Sequence, residues 1–208
     1  MAKTDVWPAI RVERKALAAD LQALSDEQWA TRTLCSEWTV RDVLAHMTAS
    51  AQITPVTFFP KLIGSGFSLT KLQAKDIARV RGASPSDTLA AFQTIIGTTT
   101  GPPGPPATML GETVLHAEDI RRSLGIGRDY APGALIQVAD FYKGSNLIVG
   151  GKRRIAGLNL RATDTAWSHG AGPDVSGPML AIVMAIAGRS VALGDLTGDG
   201  VATLRSRS

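Results

Sequence analysis

The sequence has one cysteine, few aromatic residues and no long hydrophobic run. Cys35 has no second cysteine with which to form an internal disulfide, which favours a reducing, cytoplasmic environment. The longest apolar run, from Met179 to Ala187, is about half the ~20 residues that a membrane helix requires. Charges also interrupt the segment from Met1 to Leu21, where a secretory signal would need an apolar core. We therefore expect a soluble protein that is not exported by that route.

The scarcity of aromatic side chains also bears on nucleic-acid binding. They make up 5% of the chain, too few for a platform on which single-stranded bases stack. A net charge of +4 and a pI of about 9.5 would suit a polyanionic partner. The 22 basic residues are scattered, however, with short clusters only at Arg121-Arg122 and from Lys152 to Arg154. The sequence therefore predicts no specific nucleic-acid partner.

The composition fits a globular protein, and the apolar pattern of its first 150 residues is helical. The 208 residues are 44% hydrophobic and 19% charged. Thr39 and Asp42 have the spacing of a capping box, and Gly125 is typical of a helix C-cap. Helical spacing is found at about residues 6–24, from Thr39, from Ser86 or Asp87 to Ile96, from about Ala107 to Gly125, and from Pro132. Residues 1–150 are therefore expected to form an antiparallel helical bundle.

The pattern changes in residues 151–208, and it is weak between residues 51 and 84. Residues 158–163 alternate between apolar and polar, which predicts a strand, and residues 178–188 form an apolar helix. The segment from Val201 to Leu204 is predicted to be a last strand. We expect these residues to form a small α+β segment packed on the bundle, because they are too few for a confident core of their own.

Glu112 and His116 lie four residues apart on a predicted helix, so that both project from one face. That face also carries Met109, Thr113 and Ile120, which makes it the inward one. A buried carboxylate must be paired, hydrogen-bonded or bound to a metal. One interpretation is structural, with Glu112 meeting an arginine or capping a helix and His116 bonding to a backbone carbonyl. The other is a metal site.

His46 bears on this choice. It lies beside Val43 and Met47 at the edge of an apolar stripe, where a lone histidine is usually a core residue. The chain has three histidines, and two of them can face one bundle interior. Two imidazoles and one carboxylate are the ligand set of many catalytic zinc sites, which keep a position open for water or substrate. His169 is interpreted as structural.

Three residues near these positions have two interpretations each. Asp119 could accept a hydrogen bond from an imidazole outside the ligand shell, or be a solvated acid. Trp38 could line a substrate cleft, although packing is the more common role. Cys35 would need a nearby base to act as a nucleophile, and we expect it to pack instead.

Four segments carry a family resemblance: CSEWTVRDVLAHM, GETVLHAEDIRRSLG, LRATDTAWSHGAGPDVSGPMLAIVMAIAGR and LTGDGVATL. They resemble the mycothiol-dependent maleylpyruvate isomerase family of actinobacteria, within the DinB-like metalloenzyme superfamily. The resemblance implies a mainly α protein, with a DinB-like antiparallel four-helix bundle at residues 1–150 and the α+β segment at residues 151–208. It also implies a divalent metal, usually zinc, bound by the residues that match the family's ligands: His46, Glu112 and His116.

The expected function is that of a metal-dependent transferase or isomerase that uses mycothiol as a thiol cosubstrate. Mycothiol and a small electrophile are the expected partners, and the chain could be a monomer or a dimer. A metal-dependent hydrolase and a non-catalytic DinB-like metal-binding stress protein are the alternatives. The sequence assigns neither a catalytic acid or base nor the electrophile.

Overall fold

The computed structural model describes residues 5–35 and 37–208, so Ser36 of the first quoted segment and the start of the chain lie outside it. Its described residues divide into two compact units, one up to Arg128 and one over residues 129–208. The helix Pro132–Tyr142 belongs to the second unit, whereas the sequence analysis grouped it with the bundle. The mainly α prediction is confirmed.

The first unit is helical. Its helices are α1 (Trp7–Asp20), α2 (Asp26–Ala30), α3 (Val40–Gln52), α4 (Pro55–Ile63), α5 (Leu69–Val80), α6 (Pro85–Thr94) and α7 (Ala107–Leu124). Helices α1 and α3 each pack against both α6 and α7, which makes these four a bundle. Helix α5 packs on α3 from outside that set. Fully buried Leu17, Leu44, Phe92 and Ile120, one from each bundle helix, belong to one core cluster.

Local sequence explains where α3 and α7 begin and end. The Thr39 hydroxyl accepts from the Asp42 amide, and the Asp42 carboxylate accepts from the Thr39 amide, as the capping box predicts. Gly125 ends α7 with a left-handed φ of 69°, which glycine adopts without steric cost. Helix α3 therefore begins, and α7 therefore ends, where the sequence predicts.

Buried charges tie α7 to α1. The Arg121 guanidinium is fully buried and donates from Nε to Asp20 Oδ2 at 2.8 Å. Arg128, just after α7, donates from Nη2 to Glu13 Oε1 at 3.0 Å. Removing one partner of such a pair would leave an uncompensated buried charge. These pairs therefore fix the register of α7, which carries Glu112 and His116, against α1.

The second unit contains helices α8 (Pro132–Tyr142), α9 (Gly151–Arg154), α10 (Met179–Ile186) and α11 (Val201–Arg205), and a 3₁₀ helix at Ser190–Asp195. Strands β1 (Asn159–Ala162), β2 (Ser168–Gly170) and β3 (Asp174–Gly177) form a sheet in the order β2-β1-β3. Strand β1 is antiparallel to β2 and parallel to β3. The apolar helix α10 lies at the centre of the unit and contacts α8, α9, β1 and β3.

Two local predictions were wrong. Helix α6 is capped by Ser84, not by Ser86 or Asp87: the Ser84 hydroxyl accepts from the Asp87 amide, and Pro85 occupies the first turn. The segment from Val201 to Leu204 is helical, because its amides bond within the chain's own preceding turn. The Leu204 N–H, for example, donates to the Gly200 carbonyl at 3.0 Å.

None of the helices in the described part of the chain has both the length and the apolarity needed to cross a membrane.

Candidate functional site

His46 on α3 meets Glu112 and His116 on α7. The His46 Nε2 atom lies 3.9 Å from Glu112 Oε1, and the two imidazole rings pack edge to face with centroids 5.0 Å apart. The three side chains are each between 12% and 18% exposed. Met109, Thr113 and Ile120 on the same face of α7 are buried, as the wheel predicts. The helical spacing therefore brings the three predicted ligands into one partly open cluster.

His46 is held as a neutral imidazole. Burial, and to a smaller extent the adjacent His116, lower its pKa from 6.5 to about 3. Metal ions bind neutral imidazole through a nitrogen lone pair. His46 is therefore in the protonation state of a ligand throughout the physiological range.

Burial and neighbouring groups act in opposite directions on the pKa of the Glu112 carboxyl. Burial raises its pKa, while His116, a hydrogen bond from the Ser50 hydroxyl and the charge of Arg14 each act to lower it. Arg14 is 1% exposed, and its guanidinium donates to the Ile95 carbonyl at 2.9 Å. Arg14 therefore acts on Glu112 through its charge, and a bound cation would relieve the remaining desolvation cost.

Asp119 holds the His116 imidazole through Nδ1. Its fully buried carboxylate accepts from His116 Nδ1 at 3.1 Å and from the Cys35 thiol at 3.0 Å. With Nδ1–H donating, the lone pair of His116 is on Nε2. The Cys35 Sγ atom also lies 3.6 Å from His116 Nδ1, a contact that the sequence analysis did not anticipate.

Two donor sets could therefore hold a metal ion, and they share His116. Cys35, His116 and Asp119 offer ligand atoms within 4.8 Å of one another, with His116 using Nδ1. His46, Glu112 and His116 offer two imidazoles and a carboxylate, with His116 using Nε2. With this second set, Nδ1 could still donate to Asp119, and a bound cation would offset the burial of the Glu112 carboxyl.

Trp38 borders this cluster. Its ring centroid is 4.8 Å from that of His46 and 6.3 Å from that of His116. It also packs against the core cluster to which Ala45 and Ala49 of α3 belong. Trp38 thus packs and borders the imidazoles at the same time. His169 lies on β2, in the other unit.

The low pKa of His46 predicts a pH-dependent stability of the metal-free protein. Between pH 6.5 and 3 the unfolded chain binds a proton at residue 46 that the folded protein excludes. This contribution to stability is present above pH 6.5 and is lost as the pH falls toward 3, by roughly 3–5 kcal/mol. In urea unfolding of chelator-treated protein, the free energy of unfolding should therefore fall less between pH 6.5 and 3 for His46→Gln than for the parent.

His169→Gln is the matched control for that measurement, because it removes an imidazole from β2 and leaves His46 in place. It should keep most of the parent's acid loss. An identical acid profile for His46→Gln and the parent would contradict the assignment of a buried neutral imidazole.

The chain is similar to known proteins in part of its sequence and in its fold. Residues 10–101 match the sequence profile described as "Mycothiol maleylpyruvate isomerase N-terminal domain". Two solved structures are similar in fold: the mycothiol-dependent maleylpyruvate isomerase, with a TM-score of 0.65, and a histidine-to-alanine mutant of it, with a TM-score of 0.64. Each is 16% identical, and each comparison covers 93% of this chain and 91% of the other.

A search of curated proteins gave no significant match. At 16% identity, the likeness to the two solved structures is one of fold, and it spans both units of the chain. The profile match is one of sequence, and it includes α3 with His46. Residues 10–101 therefore match the N-terminal domain of this family in sequence, which confirms the resemblance carried by the sequence segments.

Proposed function

We propose that this protein is a metal-dependent enzyme that uses mycothiol as a cosubstrate in an isomerase or transferase reaction on a small electrophile. The observation that carries the proposal is the convergence of His46, Glu112 and His116 in a chain that resembles this family. Zinc is the expected ion, and its expected ligands are these three residues. The single cysteine fits a reducing, cytoplasmic location.

The chain's own residues prepare this site in three ways. Asp119 accepts from His116 Nδ1, which fixes the ring orientation and leaves Nε2 as the ligating nitrogen. Burial keeps His46 neutral, so no proton has to leave it before it ligates. Ser50 and the charge of Arg14 favour the ionised form of Glu112 against the cost of burial.

A divalent cation bound there would lower the pKa of a thiol ligand and so supply its nucleophilic form near neutral pH. Trp38, beside both imidazoles, would form one wall of the cleft and exclude water from it. The thiol sulfur would add to an electrophilic carbon of the substrate. Elimination of the thiol after rotation about the former double bond gives isomerisation, and the thiol is returned unchanged. Retention of the new carbon–sulfur bond gives transfer and consumes one thiol per turnover, with a proton added to the adjacent carbon or, for an alkylating electrophile, with departure of its leaving group.

The test is turnover of maleylpyruvate, and of an alkylating electrophile, with and without mycothiol. Either substrate should react faster than the uncatalysed control only when the thiol is present. Free thiol should stay constant during isomerisation and fall in step with product during transfer. His116→Ala should reduce kcat/KM by at least about a hundredfold, because it removes both a metal ligand and the partner of Asp119.

His169→Ala is the control, because His169 lies on β2 and should leave kcat/KM within about twofold of the parent. Turnover of ester or amide substrates without thiol would contradict the proposal in favour of a hydrolase. An absence of turnover by metal-loaded protein with every electrophile would contradict it in favour of a non-catalytic metal-binding protein.

A further inference from the structure

We propose that the C-terminal unit binds a compact small molecule carrying two or more negative oxyanion charges. The site is a cavity of about 440 Å³ lined by Gly150, Arg153, Arg154 and Arg207. A cavity of this volume is in the range of small-molecule sites. The chemistry of its lining is that of a receptor for phosphate or carboxylate groups, since three guanidinium groups converge on it.

Two of the arginines are held in place by backbone carbonyls. Arg154 donates from Nη1 to the carbonyls of Val149 at 2.6 Å and Ile186 at 2.7 Å, and from Nε to that of Arg207 at 3.2 Å. Arg207 in turn donates from Nη1 to the carbonyls of Arg154 at 2.9 Å and Ala156 at 2.7 Å. Neutral acceptors orient these guanidinium groups and leave their full positive charges uncompensated. These two side chains are therefore already ordered, so that ligand binding costs little of their conformational entropy.

The positive charge in the cavity is not balanced by nearby acids. Within residues 5–35 and 37–208, no ion pair joins Arg153, Arg154 or Arg207 to a carboxylate. Burial lowers the pKa of Arg154, and the charges of Arg153 and Arg189 lower it further. Arg153 and Arg207 are exposed and Arg154 is half-buried, and the crowding of like charges around Arg154 costs free energy that a bound anion would offset.

Gly150 lines the cavity with backbone and no side chain. Gly150 has a φ of 66°, a left-handed conformation that side chains rarely adopt. A Cβ atom at this position would lie 3.9 Å from Arg153 Nη2, at the cavity lining. Arg153 itself makes no side-chain hydrogen bond to the described residues, so its guanidinium can turn toward a bound oxyanion. These features favour a small ligand in a pocket over a nucleic-acid backbone, which would need an extended basic surface.

The experiment titrates the full-length protein with pyrophosphate and, separately, with citrate, using calorimetry at moderate salt. Saturable binding of about one equivalent of either probe is the expected result. Binding of pyrophosphate alone would identify a phosphorylated ligand, and binding of citrate alone would identify a polycarboxylate. Arg153→Gln and Arg207→Gln should each weaken binding by about tenfold, because each removes a charge-assisted contact.

Arg205→Gln is the matched control, because Arg205 is an exposed arginine at the end of α11 that does not line the cavity. It should bind both probes within about twofold of the parent. Arg153→Gln removes no side-chain hydrogen bond, and its unchanged melting temperature would show that lost binding is not lost folding. Equal weakening by all three variants, or no saturable binding of either probe, would overturn the proposal. So would duplex DNA binding that depends on Arg153 and Arg207 while neither small anion binds.

Discussion

Protein purified without chelator should carry about one equivalent of a divalent metal, and His46→Ala, Glu112→Ala and His116→Ala should each lose most of it. The expected site has three protein ligands and a fourth position for water or substrate. Removing one of three ligands leaves two donors, which do not retain an ion through dialysis against a weak chelator. Elemental analysis of the parent and the three variants measures the effect.

Two further variants distinguish the donor sets that share His116. If His116 ligates through Nε2, Cys35→Ala should keep the metal. Asp119→Asn should then weaken metal affinity by about 10–100-fold, because the Asp119 carboxylate orients the imidazole without ligating the metal. If His116 ligates through Nδ1 with Cys35 and Asp119, Cys35→Ala should lose the metal and His46→Ala should keep it. Unchanged metal content in all three ligand variants would refute the site of His46, Glu112 and His116.

Binding of mycothiol to the metal-loaded protein should release about one proton near neutral pH. The free thiol is mostly protonated there, whereas a thiol that ligates a divalent cation is bound as its anion. Calorimetry in buffers of different ionisation enthalpy counts the protons released per thiol bound. The release should disappear in His116→Ala, even if that variant still binds the sugar portion of mycothiol.

The proton count is more informative than affinity, because affinity also reports contacts far from the sulfur. Cys35→Ala should release the same proton as the parent, which would show that the proton comes from mycothiol and not from the protein's own thiol. Thiol binding without metal-dependent proton release would exclude activation of mycothiol by the metal. The remaining alternatives would be water as the nucleophile or a protein without catalytic activity.

The helices that position the candidate site could be predicted because their signals are local. The capping box of Thr39 and Asp42 and the left-handed cap at Gly125 involve residues within one turn of the helix end. The inward face of α7 also follows from spacing alone, and its residues Met109, Thr113 and Ile120 are buried.

The segment between residues 51 and 84 was not predictable in the same way. Helix α4 buries none of its residues, and Val56, Phe59 and Ile63 are all more than half exposed. Its apolar residues therefore do not mark a core-facing stripe, and Pro60 inside the helix reads as a breaker. The segment from Val201 to Leu204 in α11 was predicted as a strand because four residues are too few to distinguish the two-residue period of a strand from the 3.6-residue period of a helix.

The surroundings of the site depend on contacts between distant parts of the chain. Cys35, Ser50 and Arg14 carry no motif, and only the packing of α1, α3 and the α2–α3 connection around α7 brings them to His116 and Glu112. Periodicity identifies which face of a helix is inward, but it does not identify the side chains that meet it there. The cavity of the C-terminal unit is similar, because Arg153 and Arg207 come from segments far apart in the sequence.

The division of the ligands between α3 and α7 makes the expected ion a removable cross-link. His46 comes from one helix and both Glu112 and His116 from the other, so an ion held by all three joins two elements that are distant along the chain. In the unfolded chain only the Glu112–His116 pair stays close, because it is local. The ion therefore binds the folded state more tightly and adds stability that grows with the logarithm of its free concentration. Adding or withdrawing metal would tighten or loosen the α3–α7 pairing without any change in sequence.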